Sequence, residues 1–246
     1  MSTTHQRRNV WTLGLLAVGA AVGIAALPTI TQDPAYHRFA DARPLLGVPH
    51  AWNVLSNIPF LIVGLLGLAS CLHRSDQPAR AAWIVAFAGI AVVSLGSAWY
   101  HWSPSSAALV WDRVPMTVGF MGLFIAVLEP SIGAGASRRL LAPAVAVGLG
   151  SIAFWVWTGD LRPYIWVQFA PLLMIAAVVA LEPGRREAGS LLAALLLYGA
   201  AKGLEAGDGA IAAASDGVVA GHALKHLAAA AACLLLVRVA RVATAG

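Results

Sequence analysis

Long apolar runs separated by short polar breaks dominate the chain. Eight such segments stand at about 11–30, 51–72, 81–101, 109–129, 139–157, 164–182, 189–206 and 217–240. They are unbroken Ala, Leu and Val stretches, not the short alternating strands of a β-barrel. Each approaches the roughly 20 apolar residues that cross a bilayer as a helix. Helix is also the open-chain form that satisfies every backbone N–H and C=O without water. Breaks such as Ser75–Pro78 and Glu182-Pro183-Gly184 carry the residues that end helices. The pattern predicts an all-α polytopic membrane helical bundle with short loops and no large soluble domain. The longest break, 31–50, carries Asp33, His37, Asp41, Arg43 and His50 and is expected to form a short surface helix.

Composition sharpens this. Of 246 residues, 59% are hydrophobic and 11% charged, against about 25% charged in an ordinary soluble domain. A soluble enzyme, a disordered tail and a disulfide-rich secreted module are therefore excluded. The net charge of +5 does not point to nucleic acid, because the arginines stand in pairs at segment ends and not on one face. With the N-terminus inside, Arg7, Arg8, Arg74, Arg80, Arg138, Arg139, Arg185, Arg186, Arg238 and Arg241 fall on the inner side. Only Arg38, Arg43, Arg113 and Arg162 fall outside. This positive-inside bias supports an even number of spans and cytoplasmic N- and C-termini. The alanine-rich, lysine-poor composition suggests a bacterial inner membrane. The first segment reads as an anchor, since its apolar run is long for a signal peptide and no clean small-x-small site precedes the loop. Cys71 and Cys233 lie in different segments without metal spacing and read as packed thiols. Trp99, Trp102, Trp155, Trp157 and Trp166 fall near outer helix ends and read as interfacial anchors.

Ionisable groups inside spans are costly and call for a reason. His101, Asp112, Arg113, Lys202, Glu205, His222, Lys225 and His226 all fall in the outer half under this orientation. They predict one polar pocket. Glu129 and Glu182 sit at inner helix ends, where solvation accounts for them. His222 and His226 are four apart, on one helix face. His101 supplies a third imidazole from another helix at similar depth. Three histidines with one open position describe a catalytic zinc site. Ser97 lies four residues before His101 and points the same way. Asp112, beyond the Trp102-Ser103-Pro104 turn, reaches the same pocket, where it either stands beside a cation or pairs with Lys225. Lys202 and Glu205 are expected to pair as support, and Lys225 to touch a lipid head or neutralise Asp112. Asn53, Ser56 and Asn57 are expected to bridge helices, with substrate contact the lesser alternative.

These residues resemble the alkaline ceramidase family, in a bacterial-type form. The motifs are Ser97-xxx-His101, Trp111-Asp112-Arg113-Val114-Pro115-Met116 and Gly221-His222-Ala223-Leu224-Lys225-His226. Further similarity lies in 51–57 and 201–208, so the likeness runs from about 33 to 240. The wider group is the CREST superfamily of seven-helix membrane hydrolases, which includes the progestin and adiponectin receptors. The resemblance implies a seven-helix hydrolase domain, 33–246, preceded by an added N-terminal anchor, 1–32. It implies Zn2+ held by His101, His222 and His226, with Asp112 as acid/base and Ser97 as oxyanion support. It implies cleavage of the amide bond of ceramide-like N-acyl lipids, the sphingolipid type included, with the acyl chain among the apolar helices. Calcium-binding members carry an acidic cluster before the first family helix. Here that stretch offers Asp33 and Asp41, with His50 where an acid is expected, which argues against calcium. The expected partner is a membrane lipid substrate, and no obligatory protein partner is inferred. The alternatives are a zinc-containing receptor or scaffold without catalysis, and a proton-coupled transporter using Asp112 and Lys225.

Overall fold

The computed structural model describes residues 3–73 and 79–242. Arg74 and the break Ser75–Pro78 lie outside the described residues. The chain forms α1 (Thr3–Ala25), a 3-10 turn (Pro34–His37), α2 (Ala51–Leu55), α3 (Ile58–Leu72), α4 (Arg80–Trp102) and α5 (Ser106–Ile132). It continues with α6 (Ala136–Thr158), α7 (Arg162–Leu181), α8 (Ala188–Ala206), α9 (Asp208–Ala214) and α10 (Gly221–Val242). Among the described residues the only β-type pairing is the isolated bridge between Leu45 and Val48. The fold is an all-α polytopic helical bundle.

Among the described residues seven spans are long and apolar enough to cross a membrane, which fits an integral membrane protein. They include the N-terminal helix, over Gln6–Ala25, but not α8, whose last turns carry Lys202 and Glu205. α8 nevertheless packs against α10 and α7. Helix α5 is the centre of the bundle, with 67% of its apolar window buried, against 11% for α1. α1 packs on α7 and α5. It is tied down by Trp166 Nε1 donating to Ala17 O at 3.1 Å and by Arg162 Nη1 donating to Ala25 O and Leu27 O.

Small residues set the closest approaches. A Cβ on Gly89 would meet Gly119 Cα at 2.5 Å, and one on Gly122 would meet Ala86 N at 2.5 Å. A Cβ on Gly96 would run into the carbonyl oxygen of Trp111. Backbones of α4 and α5 therefore touch along their length, as small residues allow in apolar bundles. Ser105 caps the start of α5, its hydroxyl accepting from Ala108 N at 3.1 Å.

Several expectations need correction. The 51–72 run stands as one span with the expected bounds, but its helix is interrupted at Ser56–Asn57, between α2 and α3. Pro59 has no N–H to donate to the Leu55 carbonyl four residues back, and at the break the side chains of Ser56 and Asn57 donate to Asn53 O, at 3.1 and 2.7 Å. The 31–50 loop is not simply a surface helix. It has one 3-10 turn and then folds inward, burying Asp41, whose Oδ2 accepts from Asn53 N at 3.0 Å. Trp155 is no interfacial anchor, being buried, whereas Trp99, Trp102 and Trp157 are exposed. Glu129 is not solvated either; it is buried and accepts from Gly135 N, Ser137 N and the Ser137 hydroxyl.

Candidate metal centre and its cavity

The three histidines converge. His101 ends α4, and His222 and His226 share a face of α10 one turn apart. The ring centroids are 4.8 Å apart for His101–His222 and 5.0 Å for both His101–His226 and His222–His226. One nitrogen from each lies within 4.8 Å of the others. All three are buried, at 1%, 5% and 4% exposure.

Neighbouring groups orient these rings. Ser56 Oγ lies 2.8 Å from His226 Nδ1 and donates to Asn53 O. A hydroxyl has one proton, so with that proton on Asn53 O the imidazole donates through Nδ1 and Nε2 keeps its lone pair. Asp208 Oδ1 accepts from His222 N at 2.8 Å, fixing the first turn of α10, and Oδ2 accepts from Ala40 N. That second bond places Phe39 on the triad, its ring 4.6 Å from His101 and 4.9 Å from His222. His37 pins the same loop through Tyr100 Oη at 2.9 Å and Ser106 Oγ at 3.1 Å. Burial, and then the charge of Arg113, hold its imidazole below the ordinary range.

Three imidazoles with no carboxylate among them form a nitrogen donor set that suits zinc. His101 Nδ1 is buried without any hydrogen-bond partner, which is costly unless something binds there. The residues present therefore fit a metal ion.

Beside the triad opens a cavity of about 310 Å³. Its polar end is formed by Ser97, Asp112, Lys225, His226, Glu205 and Arg113, and its remainder by apolar faces of α4, α5, α7, α8 and α10. Asp112 is half-buried and lines the cavity together with Ser97. Along α5 the lining runs from Asp112 to Leu123, roughly 16 Å at 1.5 Å per residue.

The expected support network forms, with one change. Lys202 pairs with Glu205. Lys225 pairs with the other Glu205 oxygen at 2.8 Å, and not with Asp112, and its Nζ also lies 3.0 Å from His222 Nε2. Asn53 is fully buried, and both its side-chain polar atoms lack partners. Sequence reasoning missed the contact of Ser56 with His226, the Phe39 cover and the α9 turn. The visible signal for the first was a Ser and two Asn preceding Pro59 in an apolar run.

Residues 48–183 match the family model described as Ceramidase. The match spans Ser97, His101 and Asp112 and stops before His222 and His226. No curated protein matches the chain.

Proposed function

The chain belongs to the Ceramidase family, and from that membership we propose that it is a zinc-dependent hydrolase cleaving the amide bond of ceramide-like N-acyl lipids. A single observation carries the metal part: three buried imidazoles from two helices converge, and one of them, His226, lines a largely apolar cavity together with Asp112 and Ser97.

His101, His222 and His226 would hold the ion. When bound, zinc would polarise the amide carbonyl and bring the pKa of the attacking water from about 15.7 towards about 7. Asp112 takes the proton from that water as its oxygen adds to the carbonyl carbon. The Ser97 hydroxyl donates to the developing oxyanion. Asp112 then returns the proton to the departing nitrogen as the C–N bond breaks, releasing a fatty acid and an amine. Ser56 holds His226 in the ligating tautomer, and Phe39 keeps bulk water from one side of the triad. The apolar stretch from Met116 to Leu123 receives the acyl chain. Residues 33–246 then make up the hydrolase unit and the first 32 an added anchor. The arginine asymmetry supports cytoplasmic termini and a site in the outer half of a bacterial inner membrane.

The test is metal analysis of the purified full-length protein together with a lipid-substrate screen, run beside His101→Ala. About one zinc per chain is expected, with fatty acid released by the wild type, and both lost in the variant. Identical lipid profiles with metal bound only to the wild type would overturn catalysis in favour of a receptor. A lipid flux insensitive to chelation would favour a transporter.

A further inference from the structure

Arg113 stands at the polar end of the cavity with no direct ion pair among the described residues. It is 6% exposed, and a guanidinium stays protonated in proteins. Its Cζ lies 4.4 Å from the Trp155 ring centroid, 4.6 Å from Tyr164 and 5.8 Å from Tyr36. Nη2 donates to Gln32 Oε1 at 2.7 Å. Nη1 is buried and has no partner. Among the described residues no carboxylate lies within ion-pair distance of it. The ring faces offset part of the cost of burying the charge, but they accept nothing from an N–H in the guanidinium plane.

The surroundings carry the same imbalance. Three cations, Arg113, Lys202 and Lys225, and two carboxylates, Asp112 and Glu205, line the cavity. Both lysines already share Glu205, and Asp112 makes no ion pair with Arg113, although the two charges lie close enough to attract. This end of the cavity therefore carries one positive charge in excess, with Nη1 of Arg113 as its unbonded donor, and a divalent ion on the triad would add to it. A substrate with a neutral head would leave both the surplus and the Nη1 proton unanswered.

We propose that this end of the cavity receives an anionic head group through Nη1 of Arg113, so that the preferred substrates are N-acyl lipids whose amine part bears a carboxylate or a phosphate. Such a head lies on the leaving-group side of the amide while the acyl chain occupies the apolar wall. The proposal rests on the hydrolase function above. It assigns Arg113 a role in specificity, since charge-assisted bonds to a planar fork favour these anions.

The test uses full-length protein and matched amphiphiles with one acyl chain: an N-acyl amino acid, its methyl ester, an N-acylethanolamine and the phosphate ester of the last. The wild type is expected to favour each anionic member over its neutral partner by about tenfold or more in kcat/KM, mainly through KM, as a charged hydrogen bond is worth. The two pairs separate carboxylate from phosphate recognition. In Arg113→Gln the ratio is expected to fall to about one; in Arg113→Lys, which carries the test if the first variant does not fold, it falls at least about threefold. A wild-type ratio at or below one, or a ratio that survives both substitutions, overturns the proposal. If no N-acyl lipid is cleaved, the hydrolase function fails, and direct binding of the same four lipids decides the head-group question. Tighter wild-type binding of the anionic members, lost in the variant, sustains it, and equal binding overturns it.

Discussion

Glu129 and Asp112 stand on the same helix, about 25 Å apart along its axis, and meet opposite surroundings. Glu129 is buried and accepts three hydrogen bonds from the turn into α6. Nearby, Glu182 accepts from Asn9 Nδ2 at 2.7 Å and Ser131 Oγ at 3.1 Å, and Arg185 pairs with Glu187. This end is a closed network that fastens helix termini. At the other end, Asp112 faces a cavity, and the groups around it are left open. Six buried side-chain polar atoms lack partners among the described residues. Five of them, on Asn53, Asn57, His101 and Arg113, belong to the Asp112 end, and only Asn9 Oδ1 belongs to the other. Buried polar groups are normally satisfied. Their concentration at one end distinguishes charge spent on holding the fold from charge kept for a ligand.

The largest way to break this contrast is Asp112→Asn. A loss of general acid–base catalysis should lower kcat by about 10²–10⁴-fold while zinc content, read by mass spectrometry, stays at the wild-type value. Zinc lost along with activity would make Asp112 a ligand instead. Next comes Ser56→Ala, which removes the group that orients His226. Metal affinity, measured by competition with a chelator, should weaken about 10–100-fold, and Ser56→Thr should restore it. An unchanged affinity would reduce Ser56 to a helix-break residue. The smallest effect belongs to the closed end. Glu129→Ala strands the Gly135 and Ser137 donors and should cost about 1–3 kcal/mol of stability, seen as a lower thermal midpoint in detergent. Activity per folded molecule should not change. A specific loss of turnover there would join the two ends functionally.

Much of the site was legible in the chain because its signals are local. His222 and His226 share a face by helical spacing alone. Ser97 and His101 do the same, and depth counting brings the two helices together. The long helices were legible from the apolar run lengths, although among the described residues α8 falls short of the seven spans apolar enough to cross a membrane. What escaped depends on contacts distant in sequence. Ser56 meets His226 across 170 positions, and Phe39 reaches the triad only because Asp208 holds the loop. Trp155 looks like any membrane-boundary tryptophan until Arg113 is seen stacked on it. Glu129 looks like a wetted helix end because its partners follow a turn whose geometry a hydropathy pattern does not contain. The break at Ser56–Asn57 was written in Pro59, but the length of the surrounding apolar run outweighed it.

The contact of Gly96 with Trp111 gives the site a fixed ruler. Ser97 follows Gly96 directly, and Asp112 follows Trp111, so the two chemically active side chains leave from the spot where backbone rests on backbone. Their separation is gauged by main-chain atoms, which neither swap rotamers nor compress. A single methyl group at position 96 would act as a shim, pushing the proton carrier away from the hydroxyl beside it without altering either residue.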